Sequence, residues 1–141
     1  MKKNKSKFLP LRSGLEREHY EQLKQSGLEF KYEPIKIEYR KRVVKGVCKK
    51  CGETEVYQKK IYIPDWVLEN GIHIESKGRL TSQDRSKLVA VKQQHPTIDL
   101  RIVFGANNKI TKAKAKRYAE WASENGFKFG IKVIPQSWLK K

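Results

Sequence analysis

Acidic residues are scarce in this chain: 15 Asp and Glu stand against 32 Lys and Arg, for a formal net charge of +17. A charge that large favours a polyanionic partner, and nucleic acid is the commonest one; the plainer alternative is a solubilising surface. Cysteine is scarcer still, with two in 141 residues, which argues against a secreted disulfide framework. There is no long apolar run and no basic amphipathic helix, so attraction to an anionic membrane is the weaker reading of the charge. The opening Met1-Lys2-Lys3-Asn4-Lys5 has the charge of a signal n-region, but no apolar h-region follows it. The expectation is a soluble, cytoplasmic protein. No internal repeat is present, and the length fits one domain with a modest core.

What is present divides into a basic arm and a mixed α/β domain. Residues 1–11 read as a basic, flexible arm and residues 12–141 as one domain. Ser13-Gly14-Leu15-Glu16 fits a capping box, opening a helix that runs to about Gln25 and stops at Gly27. Leu28 to Glu33 and Ile35 to Tyr39 read as extended segments broken by Pro34. Residues 40–60 look like a basic insertion around Cys48-Lys49-Lys50-Cys51-Gly52. Strand pattern returns at Ile61 to Ile63 and Ile72 to Ser76. Thr81 or Ser82 caps a second helix ending near His95-Pro96. Ile98 to Phe104 is apolar enough for a strand covered on both faces. Thr111 to Asn125 is expected as a lysine-rich third helix closed by Gly126, and Phe127 to Ile134 as a last strand. The expected architecture is a mixed central sheet flanked by helices.

Pro64-Asp65 and Glu75-Ser76-Lys77 carry the chemistry. Gly71 to Lys77 alternates as a half-buried strand does, with Ile72, Ile74 and Ser76 on one face and His73, Glu75 and Lys77 on the other. Asn70-Gly71 supplies a turn that can bring Asp65 alongside Glu75. Two carboxylates bind a hard divalent cation through oxygen, and a lysine beside them can orient a water or a phosphoryl group. That is the kit of a metal-dependent nuclease; the bland reading is a pair of solvated carboxylates at strand ends. Glu16 has two readings as well, the acid of the capping box or a further metal ligand presented from the first helix. Cys48 and Cys51 have the shape of half a zinc knuckle, which a two-fold partner could complete; two reduced thiols in a turn is the plainer reading. His73, His19 and His95 are adequately explained by packing or capping. Trp66, Trp121 and Trp138 fall in or beside periodic apolar segments and read as core. Lys2, Lys3, Lys5, Lys7, Arg12, Lys49, Lys50, Lys112, Lys114 and Lys116 are candidate phosphate contacts.

Several segments together resemble the bacteriophage endonuclease I family of Holliday-junction resolvases, in the PD-(D/E)XK nuclease superfamily. They are Leu11-Arg12-Ser13-Gly14-Leu15-Glu16, Tyr32-Glu33, Ile63-Pro64-Asp65, Asn70-Gly71-Ile72 and Glu75-Ser76-Lys77-Gly78, with Gln94-His95-Pro96, Ile98 to Phe104 and Ile134-Pro135…Trp138. The resemblance runs over nearly the whole chain from Leu11 onward. It implies a restriction-endonuclease-like fold and an enzyme that hydrolyses branched DNA, four-way junctions above all, by paired cuts. Asp65 and Glu75 would hold Mg²⁺, with Mn²⁺ as substitute; Lys77 would stand beside the attacking water, and Glu16 would be the fourth catalytic residue and a further ligand. It also implies an intertwined homodimer whose first helix crosses to the partner, and a host-cell cytoplasmic location. The sequence departs from the family in residues 40–60, where the family's inter-domain bridge should lie and which is longer than expected. Two rivals stay open: a non-catalytic basic zinc-knuckle protein that binds nucleic acid, and a nuclease of the same superfamily acting on linear duplex DNA.

Overall fold

Side chains replace missing backbone partners where the two longer helices begin. Helix α1 (Gly14–Ser26) opens with Ser13 Oγ accepting the Glu16 N–H at 3.1 Å and ends at Gly27, whose φ of +79° suits a residue without Cβ. Helix α2 (Ser82–Gln94) opens on a full capping box, in which Thr81 Oγ1 accepts from Asp84 N and Asp84 Oδ2 accepts from Thr81 N. Such a cap contributes about 1 kcal/mol. The computed structural model describes residues 11, 13–44 and 55–140.

Between and after these helices lie β1 (Phe30–Tyr32), β2 (Ile37–Val44), β3 (Glu55–Tyr62), β4 (Trp66–Leu68) and β5 (Ile72–Lys77). They are followed by β6 (Asp99–Phe104), β7 (Lys109–Thr111), β8 (Lys114–Arg117), helix α3 (Tyr118–Glu124), β9 (Phe129–Ile131) and a 3₁₀ turn at Gln136–Leu139. Among the described residues the central sheet has the order β1-β4-β5-β6-β9. Its first three strands are antiparallel neighbours, while β5, β6 and β9 run parallel. This is the expected mixed α/β domain.

The sheet separates two cores. On one face, Ile72, Ile74 and Val103 meet Leu23 of α1 together with Leu28, Trp66, Ile134 and Trp138. On the other, Leu100, Ile102 and Phe104 meet Leu88 and Val91 of α2 and Trp121 of α3. Strand β6 therefore buries both faces, as its apolar run implies. Each large side chain taken fully from water contributes about 1.5–3 kcal/mol before conformational entropy is counted. Trp66 is fully buried, with the rings of Tyr20, Phe30 and Tyr32 at centroid distances of 6.2, 5.8 and 4.9 Å. That aromatic cluster fixes the backbone one residue after Asp65. All three tryptophans are core residues, as their setting in the sequence suggests.

Strands β2 and β3 form a hairpin whose ladder runs from Ile37↔Tyr62 to Val44↔Glu55. The described part of the 40–60 segment is thus the outer half of this ladder. Gln94 clasps it from α2, its Oε1 accepting from Arg40 N at 2.7 Å and its Nε2 donating to Arg40 O at 2.8 Å. His95 Nε2 donates to Glu38 O. Cys48, Lys49, Lys50, Cys51, Arg12 and the arm lysines Lys2, Lys3, Lys5 and Lys7 lie outside the described residues.

The structure corrects the expected third helix. Residues Thr111 to Asn125 are not one helix: 109–117 form the β7–β8 hairpin, and α3 begins only at Tyr118. A helix would have stacked Lys112 on Lys116 one turn apart, a like-charge pair that destabilises. In the hairpin Lys112 is exposed, Lys116 is half-buried and paired with Glu124, and Ile110 packs on the core. Tyr118 N donates to Asn108 O at 2.9 Å and closes the base. The final strand is shorter than expected, because Lys132 turns with φ +68° and Pro135 follows. Strand β4 is too short to show alternation and was not expected.

Candidate active site

Glu75 and Lys77 share the α2-facing side of β5, opposite Ile102 and Phe104 of β6, as the period-two pattern requires. Asp65 stands immediately before β4, which pairs antiparallel with β5 through the turn at Asn70-Gly71; Gly71 has φ +90°. Asp65 Oδ2 accepts the Ser76 N–H at 2.8 Å, so it is tied to the peptide between Glu75 and Lys77. Glu16 reaches the same place from α1. It is 4% exposed, and its Oε1 accepts from the Tyr32 hydroxyl at 3.0 Å. Only half of the expected capping box forms at α1, because the Glu16 carboxylate bonds Tyr32 inside the fold.

The electrostatics are those of carboxylates held against their preference. Burial pushes the Asp65 carboxyl up from 3.8 to about 8, helped by the charges of Glu75 and Glu16 and opposed by the Ser76 N–H and Lys77. Burial likewise raises Glu75, which is 6% exposed, while a 2.5 Å bond from the Tyr62 hydroxyl and the charges of Lys77 and Lys87 restrain it. Tyr62 is lifted well above the usual phenol range, by burial first and then by Glu75. Burial works against the Lys77 ammonium, but Glu75 Oε2 at 3.7 Å and Asp84 Oδ1 at 3.1 Å outweigh it and raise its pKa. Asp84 is held below the usual carboxylate range: the Thr81 bonds and Lys77 outweigh its burial.

The four sequence-selected residues Glu16, Asp65, Glu75 and Lys77 therefore converge. Among the described residues no group of three or more His, Cys, Asp or Glu side chains is placed to hold a metal ion. Oxygen donors from Asp65 and Glu75 nonetheless fit a hard cation. Burial raises both carboxyls, and the charge of Glu75 raises Asp65 further despite Lys77; Mg²⁺ is often held by one or two carboxylates plus substrate phosphate. Lys112, Lys114 and Lys116 lie away from this cluster on the β7–β8 hairpin, where Lys116 pairs with Glu124 at 2.6 Å. His73 bonds the Gly71 carbonyl through Nδ1.

Sequence reasoning missed Tyr32, Tyr62 and Asp84 as partners of the cluster. Thr81-Ser82-Gln83-Asp84 is a legible capping box and could have flagged Asp84; nothing local marks the two tyrosines. It also missed a groove of about 690 Å³ between the β2–β3 hairpin and α2, lined by Arg40, Lys41, Arg42, Lys60, Lys87 and Asp84. This basic groove reaches the cluster at Asp84, the partner of Lys77. No helix among the described residues is long and apolar enough to cross a membrane.

The family model described as Phage endonuclease I matches residues 1–141. The chain is similar to Endonuclease I of Escherichia phage T7, 37% identical over 131 residues that cover 92% of this chain and 78% of that protein. It is similar at the same identity and length to Endodeoxyribonuclease 1 of Enterobacteria phage T3, covering 92% of this chain and 77% of that protein.

Proposed function

The chain belongs to the phage endonuclease I family, and from that premise we propose that it is a metal-dependent endodeoxyribonuclease that resolves four-way and other branched DNA junctions. The relatives' names support the coarser reading, a phage endodeoxyribonuclease. The metal, the junction and the dimer go beyond those names. One observation carries the reading: Asp65 and Glu75, both buried, meet Lys77 and Glu16, and a basic groove reaches Asp84, the partner of Lys77.

Asp65 and Glu75 would hold Mg²⁺ or Mn²⁺, with Glu16 as a further ligand. A divalent cation there supplies positive charge for the phosphoryl oxygens and lowers the pKa of water. The chain's own residues supply the rest. The Tyr62 and Tyr32 hydroxyls fix one oxygen each of Glu75 and Glu16, and the second oxygen of Glu75 faces Lys77 at 3.7 Å. Lys77 keeps its proton, because Glu75 and Asp84 raise its pKa, and so offers a donor to a water or a phosphoryl oxygen. Arg40, Lys41 and Lys60 lie along the groove where phosphates would run, which positions a duplex without reading its bases. Lys112, Lys114 and Lys116 would touch a further arm.

Paired cuts in a four-way junction need two sites related by a two-fold axis, so the working unit would be a homodimer. In the single chain α1 packs on its own β5. Exchange of α1 between subunits would make the same contacts from the partner.

The test is cleavage of a synthetic four-way junction beside a linear duplex of the same sequence, in Mg²⁺, by wild type and Glu75→Ala. Paired nicks near the junction centre, lost in the variant, are expected. Binding without cutting in any divalent metal would leave a DNA-binding protein. Equal cutting of the linear duplex would leave a nuclease without junction preference.

A further inference from the structure

Ser76 separates Glu75 from Lys77 and faces the other way, toward α1. Its hydroxyl sits in a chain of hydrogen bonds whose direction the chemistry fixes. Trp66 Nε1 can only donate, and it reaches Ser76 Oγ at 3.0 Å. The carbonyl of Lys132 can only accept, so His19 Nε2, 2.9 Å away, carries the ring proton. His19 Nδ1 is then an acceptor, and the Ser76 hydroxyl donates to it at 2.6 Å. Desolvation holds the His19 pKa below the ordinary histidine value, which matches a neutral ring. The ring is 0% exposed.

The backbone bends to keep this chain. Lys132 lies in the left-handed region with φ +68°, held by its own N–H on Phe104 O, and Phe104 is the register partner of Lys77. Glu33 is the other non-glycine residue with positive φ among those described. It follows Tyr32, the partner of Glu16, and its N–H bonds Asp65 O at 2.9 Å. Strained backbone that persists beside charged side chains points to a site that needs particular geometry. Gln22, one turn after His19, clasps Ile134 in both directions, at 2.5 and 2.8 Å.

We propose that Ser76 and His19 are positioning residues: their relay sets α1, and with it Glu16, against the strand bearing Glu75, while the Ser76 N–H aims Asp65. The proposal rests on the nuclease reading above. Residues that orient ligand carboxylates from behind typically alter metal affinity or activity by about 10–100-fold when changed. They touch neither DNA nor the reacting atoms.

The experiment compares junction cleavage by wild type, Ser76→Ala and His19→Leu over a Mg²⁺ titration, with DNA binding measured in Ca²⁺. Both variants should lose about 10–100-fold in kcat, or need about 10–100-fold more Mg²⁺ for half the maximal rate, with DNA affinity unchanged. Ser76→Thr, which keeps the hydroxyl, should restore most of the rate. Wild-type kcat and Mg²⁺ dependence in either variant overturns the relay, and His19→Leu alone decides if Ser76→Ala does not fold. A loss confined to DNA affinity overturns it too. Wild type that cuts no DNA at any Mg²⁺ concentration fails the nuclease reading instead.

Discussion

Replacing Asp65 by asparagine is expected to stabilise the metal-free protein while abolishing its cutting of DNA. The carboxyl is 8% exposed, and its pKa rises from 3.8 to about 8, first through burial and then through the charge of Glu75. A native pKa raised above the unfolded one contributes stability that is complete below about pH 4 and is lost as pH climbs toward 8. Each pH unit in that window is worth about 1.4 kcal/mol, so at pH 7 the cost is on the order of 4 kcal/mol. Asparagine keeps an oxygen for the Ser76 N–H but adds an amide that needs a partner, an offset of about 1–2 kcal/mol. The net gain is about 2–3 kcal/mol, or roughly 6–10 °C in Tm for a chain of this size. Thermal unfolding in EDTA at pH 5, 7 and 8 measures it; the gap between Asp65→Asn and wild type should widen across that series. Adding Mg²⁺ should raise the wild-type Tm and leave the variant's unmoved. A variant less stable than wild type at pH 7 in EDTA, or a gap that ignores pH, refutes the reasoning.

Two further outcomes test the packing and the groove. Leu88 of α2 is 0% exposed between the sheet and the helix layer, so Leu88→Ala should cost about 2–5 kcal/mol in urea unfolding with an unchanged m-value; a loss under about 1 kcal/mol would contradict a filled core there. Arg40→Gln with Lys41→Gln, both in the groove wall, should weaken DNA binding and flatten its logarithmic salt dependence by about 0.9 per lost phosphate contact; an unchanged slope would move the DNA elsewhere.

The stability cost of Asp65 has a counterpart in the arrangement as a whole. Tyr62, Lys77 and the Ser76 N–H each offset part of the charge that burial makes unfavourable. What they leave uncompensated is a pKa that stays raised at both Asp65 and Glu75. On the nuclease reading proposed above, a cation bound there would offset that cost, the usual trade between function and stability.

Much of this could be read along the chain, because it depends on neighbours in sequence. Strand periodicity alone put Glu75 and Lys77 on one face and Ser76 on the other, and the structure keeps that division. Ser13 and Gly27 bracket α1 as their backbone chemistry dictates, and Thr81 opens α2. The excess of positive charge was evident from counting. Tertiary structure decided what depends on residues far apart. Glu16 could have closed its own helix end, yet a hydroxyl from β1 draws it into the core beside Asp65. Residues 109–117 carry helix-forming lysines and alanines, yet Ile110 and Tyr118 gain more by packing on the sheet, so the segment turns back as a hairpin. His19 read as packing, and it does pack; only the fold brings Ser76, 57 positions away, onto its ring. Local pattern fixes which way a side chain points. Which partner waits there is set by burial of apolar faces and the need of each buried polar group for a partner.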